Sequence, residues 1–332
     1  MKLAFLIADG MGDYPLKELE GLTPLQKANT PNMDNLAKIG KVGLCRTIPE
    51  HMEPGSDIAN MAILGFDPTL YHTGRGPIEA AALKVDTQED DIIFRMNLVT
   101  VSEFSENGIM IDYSAGHISS EEANKIVSAL KEKLEDKTWK IVPGFQYRHL
   151  LIKRHGKDTS LDRIKINPPH DILDKSIKDD VLTYKNEKEL YKLISEAAQI
   201  LETHFPDSKA NCIWPWGQGR RLKLPDFYNT YGLKGAVISA VDLIKGLGYA
   251  ANMEVIDIEG ATGLIDTNYE GKARAAIDFL GENDFVFVHL EGPDECSHAG
   301  DIKCKIEAIE RFDKHIVGPI CDFFEVKKKE ES

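Results

Sequence analysis

The chain is short of the features that mark several large classes of protein. Cysteine is scarce and scattered: five residues in 332, at positions 45, 212, 296, 304 and 321. That spacing offers no CxxC pair and no disulfide framework, so reduced thiols in a cytosol are expected, with Cys296 a spectator near His298. Long apolar runs are missing too. The first one, in "MKLAFLIADGMGD", breaks at Asp9, too early for a signal or membrane segment. No later run approaches membrane length, and a cytoplasmic protein is expected. Positive charge is in deficit, with 40 Lys and Arg against 54 Asp and Glu and a formal charge of −14. This excludes nucleic acid and an anionic membrane surface as expected partners. It leaves an anionic small substrate open, because a local cluster of metal ions and arginines overrides a global field. No Walker loop is present and no GxGxxG follows a strand, so ATP and NAD lack support. There is no internal repeat.

What is present suits a globular α/β chain. Hydrophobic residues make up 42% and charged residues 28%, enough for a sizeable core. The length allows two domains, or one large domain carrying an insertion. "KLAFLIADG" reads as a buried parallel strand opening into a loop. "TPNMDNLAKIG" reads as a helix with Thr30 as cap, Pro31 in its first turn and Gly40 as its stop. "DIIFRMNLVTV" and "GIMIDYSAG" look like sheet with one wet face. A helix follows, capped by Ser119 or Ser120, with Glu122 placed for a capping box if Ser119 is the cap. "KIVPGFQYRHLLIKR" returns to strand, residues 156–190 form a polar excursion, and "ELYKLISEAAQILETHF" is an amphipathic helix. Beyond residue 209 strand and turn ("KANCIWPWG"), strand–helix ("GAVISAVDLIKGLG") and a strong buried strand ("DFVFVHLEGPDE") restore the α/β character. The expected architecture is a doubly wound core, residues 1–80 and 206–332, interrupted by an inserted α+β domain over 81–205. The tail "VKKKEES" reads as a solvated charge run.

In a parallel α/β sheet, ligands gather beyond the carboxyl ends of the strands. Two strands here end in acids, one in Asp9 and one in Asp294, four residues before His298. A helical turn would bring Asp294 and His298 to one face, and an oxygen–imidazole pair suits Mn²⁺ or Zn²⁺. Ser56 stands in "HMEPGSDIANMAILGFDP" between Gly55 and Asp57, at the head of an apolar run. It can be a helix cap, or a nucleophile activated by a metal, with the helix N-terminus holding a phosphoseryl group. The residue pattern leaves both readings open. Candidate anion clamps are Arg75, Arg148, Arg220 and Arg221, since guanidinium forks match carboxylate and phosphate bidentately.

With "LIADGMGD", "EPGSDIANMAILGFDP", "GRGPIEAAAL", "DYSAGHISSEEA", "WPWGQGR", "KGAVISAVDLIKGLG" and "EGPDECSHAGDIKCKIEAIERFD" in order along nearly its whole length, the chain resembles the archaeal-type, cofactor-independent phosphoglycerate mutases. These belong to the alkaline-phosphatase-like metalloenzyme superfamily. The resemblance implies interconversion of 3-phosphoglycerate and 2-phosphoglycerate through a phosphoserine, with two divalent metal ions. It assigns Ser56 as nucleophile, Asp9 and Ser56 to one metal, Asp294 and His298 to the other, and Lys234 to the transferring phosphoryl group. Arg220, with Arg221, Arg148 and His117, would grip the phosphorylated acid, and the inserted domain would shield it as a lid. The family's later Asp-His pair and final His find no counterpart, so the core is expected to lack its C-terminal end and activity to be impaired. The alternatives are a related phosphotransferase or phosphatase on another small phospho-acid, and an inactive paralogue that binds phospho-acids. Oligomeric state is not readable.

Overall fold

The computed structural model describes residues 1–330. Its strands run β1 (Leu3–Ala8), β2 (Ile92–Val101), β3 (Met110–Asp112), β4 (Trp139–Val142), β5 (Arg148–Lys153), β6 (Cys212–Arg220), β7 (Gly235–Ile238), β8 (Glu254–Val255) and β9 (Phe285–Leu290). Two compact units follow from the contacts: Met1–Thr69 with the chain from Lys223 onward, and Leu70–Leu222. The sequence placed the inserted segment at 81–205. The compact unit is longer because the helix Arg75–Ala82 and all of β6 pack with β2.

The first unit is built on a parallel sheet in the order β1-β9-β7-β8. All six residues of β9, "FVFVHL", are buried, as a continuous apolar run in a central parallel strand requires. β1 differs from its expected full burial: its residues are half-buried and Phe5 is exposed, because the strand has a ladder partner only in β9. Val286, Val288 and Leu290 pack with the helix Tyr269–Glu282 and with Phe312, Ile316 and Val317.

That last segment turns once as a π-helix, Asp313–Val317, and its buried acid does a job that sequence gave to Thr30. Thr30 makes no cap bond from its side chain. Asp313 instead accepts the backbone N–H groups of Met33 at 2.7 Å and Asn32 at 3.2 Å, satisfying orphan donors of the helix Pro31–Ile39. The cap at Ser119 is as expected: its hydroxyl accepts from the backbone of Glu122 at 3.2 Å. Glu122, however, takes a bond from Ser208 at 2.6 Å.

The second unit is antiparallel. β2 pairs with β3, β5 and β6, and β4 lies outside β5. The helices Ser120–Leu134 and Lys188–His204 cover it with Leu130, Ile194, Ala197 and Leu201 against Phe94, Met96, Leu98 and Trp214. β2 has no wet face, contrary to its sequence reading: nine of its ten residues are buried, Arg95 and Asn97 among them. Nor does "WPWGQGR" end the preceding strand in a turn. It continues as β6, absorbing Pro215 on an edge and shifting register opposite Ile93 and Arg95, where Gly217 adopts φ +57°.

The cysteine expectation is corrected. Cys296 and Cys304, eight residues apart, form a disulfide with Cα atoms 5.6 Å apart, a normal span. Gly300, at φ +67°, reverses the chain between the helices Gly292–His298 and Ile302–Phe312 and brings the two cysteines together. The charged tail is helical as far as Glu330, and Glu331 and Ser332 lie outside the described residues.

Two outcomes follow. Alkylation of the unfolded, unreduced chain should modify Cys45, Cys212 and Cys321 and spare Cys296 and Cys304; reduction beforehand should expose all five. In denaturant titrations Asp313→Ala should lose about 2 kcal/mol and Thr30→Ala less than about 0.5 kcal/mol.

Candidate active site

The parallel register places Ala8 beside Leu290, and Asp9 donates its N–H to the Leu290 carbonyl at 2.8 Å. The carboxyl ends of β1 and β9 are therefore side by side. Gly10 then turns the chain at φ +69°, and a Cβ there would lie 2.3 Å from the Cα of Asp294. Only glycine lets the loop after β1 touch the helix Gly292–His298 this closely. In that helix Asp294 Oδ2 stands 3.3 Å from His298 Nε2, the shared face that their spacing implied.

Ser56 is the first residue of the helix Ser56–Ile63, behind Gly55 at the N-cap, which has no side chain to offer the helix end. That place, inside the first turn rather than at the cap, removes the cap reading, and the Ser56 side chain lies near enough to Asp9 to favour its ionised form. Asp9 accepts bonds from its neighbour's N–H, Gly10, at 3.0 Å and from His289 Nε2 at 3.2 Å. Burial works against its charge, and the bonds from His289 and Gly10, with a small contribution from the nearby Ser56, outweigh burial and hold the carboxyl below its ordinary range. Asp294 goes the other way: burial, then the nearby charge of Asp9, raises it. Lys305, buried on the helix Ile302–Phe312, grips the loop after β1 through the Gly12 carbonyl at 3.1 Å and Asp13 at 2.6 Å.

Asp9, Ser56, Asp294 and His298 are thus gathered at one end of the sheet. Lys234 is not. Its backbone bonds to Asp284 and Phe285, at the start of β9. The six residues of β9 separate it from the Asp9 end by roughly 16 Å, so the assignment of Lys234 to phosphoryl neutralisation is corrected. The sequence motif identified a strand start, and a strand start lies at the wrong edge.

The second unit holds the remaining candidates in two places. Arg148, opposite Asn97 on β2, lies over the rings of Phe145 at 5.8 Å and Tyr147 at 5.7 Å. Tyr113 stands edge-on to Tyr147 and to His117, which adopts a left-handed φ of 53°. His170 links Tyr113 to Trp216, and Trp216 carries Arg95 at 5.1 Å and Arg75 at 5.7 Å. Glu79 bonds Arg95 at 2.6 Å and faces Arg75 at 3.5 Å. Burial, and then the neighbouring Arg75 and Arg148, bring Arg95 down to about 10, against the pull of Glu79. Three guanidiniums within electrostatic reach of one another, with the one carboxylate of Glu79 between Arg75 and Arg95, make a local surplus of positive charge, suited to an anion. Arg220 and Arg221 are elsewhere. Arg220 lies opposite Ile92, five strand residues from Asn97 and roughly 16 Å along β2. It pairs with Asp162 at 2.7 Å, and Arg221 donates to the Thr87 carbonyl at 3.2 Å.

His289 and Arg95 escaped the reading of the sequence. Each interrupts an otherwise apolar strand, and a polar group inside a buried strand demands a partner. That interruption was the available signal.

The implied metal ions can be tested against these donors. Asp9 with Ser56, and Asp294 with His298, form two pairs. Among the described residues no group of three or more His, Cys, Asp or Glu side chains is arranged to hold an ion. Metal centres with protein ligands draw on three or four, so the described residues do not fit a complete centre.

Fold and site together define an α/β protein with a helix-head serine beside a strand-end acid and an arginine cluster on a separate sheet. A profile of the 2,3-bisphosphoglycerate-independent phosphoglycerate mutases matches residues 37–206. The mutase of that name from Methanothrix thermoacetophila is 48% identical over 328 residues, covering 96% of this chain and 81% of its own. The probable mutase of Geobacter sulfurreducens is 43% identical over 328 residues, with coverage of 96% and 81%. Among solved structures, the PH0037 protein from Pyrococcus horikoshii superposes with a TM-score of 0.76 at 30% identity, covering 97% of this chain and 77% of that one. The chain belongs to the 2,3-bisphosphoglycerate-independent phosphoglycerate mutase family.

One pH effect follows from the second unit. His149 is buried, its Nδ1 accepts from the Gly144 N–H at 3.0 Å, and burial pulls it from 6.5 to about 4. The unfolded imidazole takes a proton near pH 6.5 and the folded one only near pH 4, so acid favours unfolding between those values. Denaturant unfolding should show about 2 kcal/mol less stability at pH 5 than at pH 7 from this residue. His149→Asn should flatten that slope.

Proposed function

We propose that this chain interconverts 3-phosphoglycerate and 2-phosphoglycerate by passing the phosphoryl group through Ser56. The observation that carries the reading is the place of Ser56, inside the first helical turn rather than at its cap and beside the half-buried carboxylate of Asp9. The mutases named above supply the substrate. Asp9 lies beside Oγ, which forms a bond to phosphorus as the bond to the glycerate oxygen breaks, the proton lost from Oγ ending on that glycerate oxygen. The free N–H groups at the start of the helix Ser56–Ile63 then face the phosphoseryl dianion. Return of the phosphoryl group to the other hydroxyl of glycerate regenerates Ser56.

The unit Leu70–Leu222 is our candidate for the part that holds glycerate between the two transfers and keeps water out. Within it, Arg148 and His117, joined by Arg75 and Arg95, are the group proposed to take the carboxylate or phosphate. Arg220 and Arg221 are a second set whose partners, Asp162 and the Thr87 carbonyl, would have to yield. The family implies divalent ions, Mn²⁺ or Zn²⁺ by donor type. Asp9 with Ser56, and Asp294 with His298, would supply only part of the ligands such ions need.

Ser56→Ala decides between hydroxyl chemistry and a structural role. In an assay of 2-phosphoglycerate formation it should lose on the order of a thousandfold or more in turnover. Its stability should change by less than about 1 kcal/mol, since no cap is lost. Retention of turnover would overturn the assignment.

A further inference from the structure

Two motifs of the sequence, "GRGP" and "WPWGQGR", meet in the second unit, and glycines are the reason they can. A Cβ on Gly76 would lie 2.6 Å from the Ile93 carbonyl oxygen and 2.7 Å from the Arg95 nitrogen. One on Gly219 would lie 1.5 Å from the Thr73 carbonyl oxygen, and one on Gly74, at φ +133°, 2.3 Å from that of Gln218. Only glycine permits such approaches, so the head of the helix Arg75–Ala82 lies directly on β2 and β6. Gly217 leaves the space that Arg75 takes: a Cβ there would stand 3.1 Å from the Cβ of Arg75.

The result is one guanidinium that is fixed in place and not used up. Trp216 lies opposite Arg95, and its indole carries both guanidiniums, Arg95 at 5.1 Å and Arg75 at 5.7 Å from the ring centre. The indole is held in turn by its N–H, which donates to Asn97 Oδ1 at 3.0 Å. Arg95 is committed: Nη1 donates to Glu79 Oε1 at 2.6 Å and Nε to Asn97 Oδ1 at 3.2 Å. Arg75 is not. The same Glu79 oxygen stands 3.5 Å from Arg75 Nε, and among the described residues that buried nitrogen has no hydrogen-bond partner. A buried donor without an acceptor is costly, and an arginine serving packing alone would be paired. The Arg75 side chain is also 38% exposed, within reach of a solute. Glu79 cancels the charge of Arg95 and leaves that of Arg75 over. A guanidinium fork matches the two oxygens of a carboxylate. The reading above gives the phosphoryl group to Ser56, and the substrate's other charge is its carboxylate, the same in both isomers.

We infer that Arg75 is a specificity-determining residue that grips the carboxylate of glycerate through both transfers, with Trp216 and Glu79 as the positioning residues that aim it. This rests on glycerate being the group carried, as proposed above, and the experiment tells its failure apart from that of the phosphoserine.

The first readout is calorimetric binding, which needs no turnover. The probes are D-glycerate, which lacks the phosphoryl group, and inorganic phosphate, which lacks the carboxylate. Arg75→Ala should weaken D-glycerate by about thirtyfold and inorganic phosphate by less than about threefold. Arg75→Lys, which keeps the charge and loses the fork, should still bind D-glycerate about tenfold more weakly than the unaltered protein. Trp216→Leu should cost about tenfold and add little on top of Arg75→Ala, and Trp216→Phe, which keeps an aromatic face, should recover most of that loss. In turnover, Arg75→Ala should raise KM by about the same thirtyfold with kcat changed less than about threefold. D-glycerate that fails to bind the unaltered protein, or binds Arg75→Ala equally well, overturns the inference. So does an equal loss for inorganic phosphate, which would make the group a phosphate site. Additive losses at Arg75 and Trp216 would contradict positioning. If Trp216→Leu does not fold, Trp216→Phe combined with Arg75→Ala carries that comparison. Should Ser56→Ala keep its turnover, the phosphoserine reading fails and the D-glycerate titrations still decide the role of Arg75.

Discussion

A carboxylate withdrawn from water at the end of a parallel sheet is the constraint on which the first unit turns. His289 and the Gly10 N–H bond to Asp9 and, with Ser56 nearby, hold its carboxyl below the ordinary range against burial, and each of the three depends on a different part of the fold. The β1–β9 register supplies His289. The left-handed turn at Gly10 supplies the backbone N–H and clears room for Asp294. The head of the helix Ser56–Ile63 supplies the hydroxyl. Asp294 is pushed the other way, its ionisation opposed by burial and then by the charge of Asp9.

The second unit poses the complementary problem with the opposite sign. Arg95 is buried in the middle of β2 and kept charged by Glu79, while Asn97 bridges its Nε–H and the indole N–H of Trp216. A buried ion pair of this kind contributes little net stability. Its value is geometric: it fixes one guanidinium where Arg75 and Arg148 bring two more within electrostatic reach. A chain of net charge −14 thereby presents a local positive field of the kind an anionic substrate needs.

Much of this was legible in the residues. Strand-end acids, the i, i+4 spacing of Asp294 and His298, and a serine between Gly55 and Asp57 all announce themselves through local rules, and local rules survive folding. Features set by tertiary pairing did not. Thr30 lost its capping role to Asp313, a residue distant in sequence. The two faces of β2 were both buried by partners that no periodicity reveals. Cys296 and Cys304 met because two helices fold back at Gly300, a spacing no short motif encodes. Lys234 was misplaced because a motif gives the element but not which end of the sheet it occupies. His289 passed unnoticed as one letter in "FVFVHL", although a polar residue there was itself the evidence.

Membership of the phosphoglycerate mutase family and the place of Ser56 beside Asp9 support the covalent phosphoryl intermediate proposed for this chain. The most direct measurement is to mix the protein with 3-phosphoglycerate and Mn²⁺, quench in acid and locate phosphate by peptide mass spectrometry. The account requires phosphate on Ser56. Formation of 2-phosphoglycerate with Ser56 unmodified and the phosphate on another residue would contradict it.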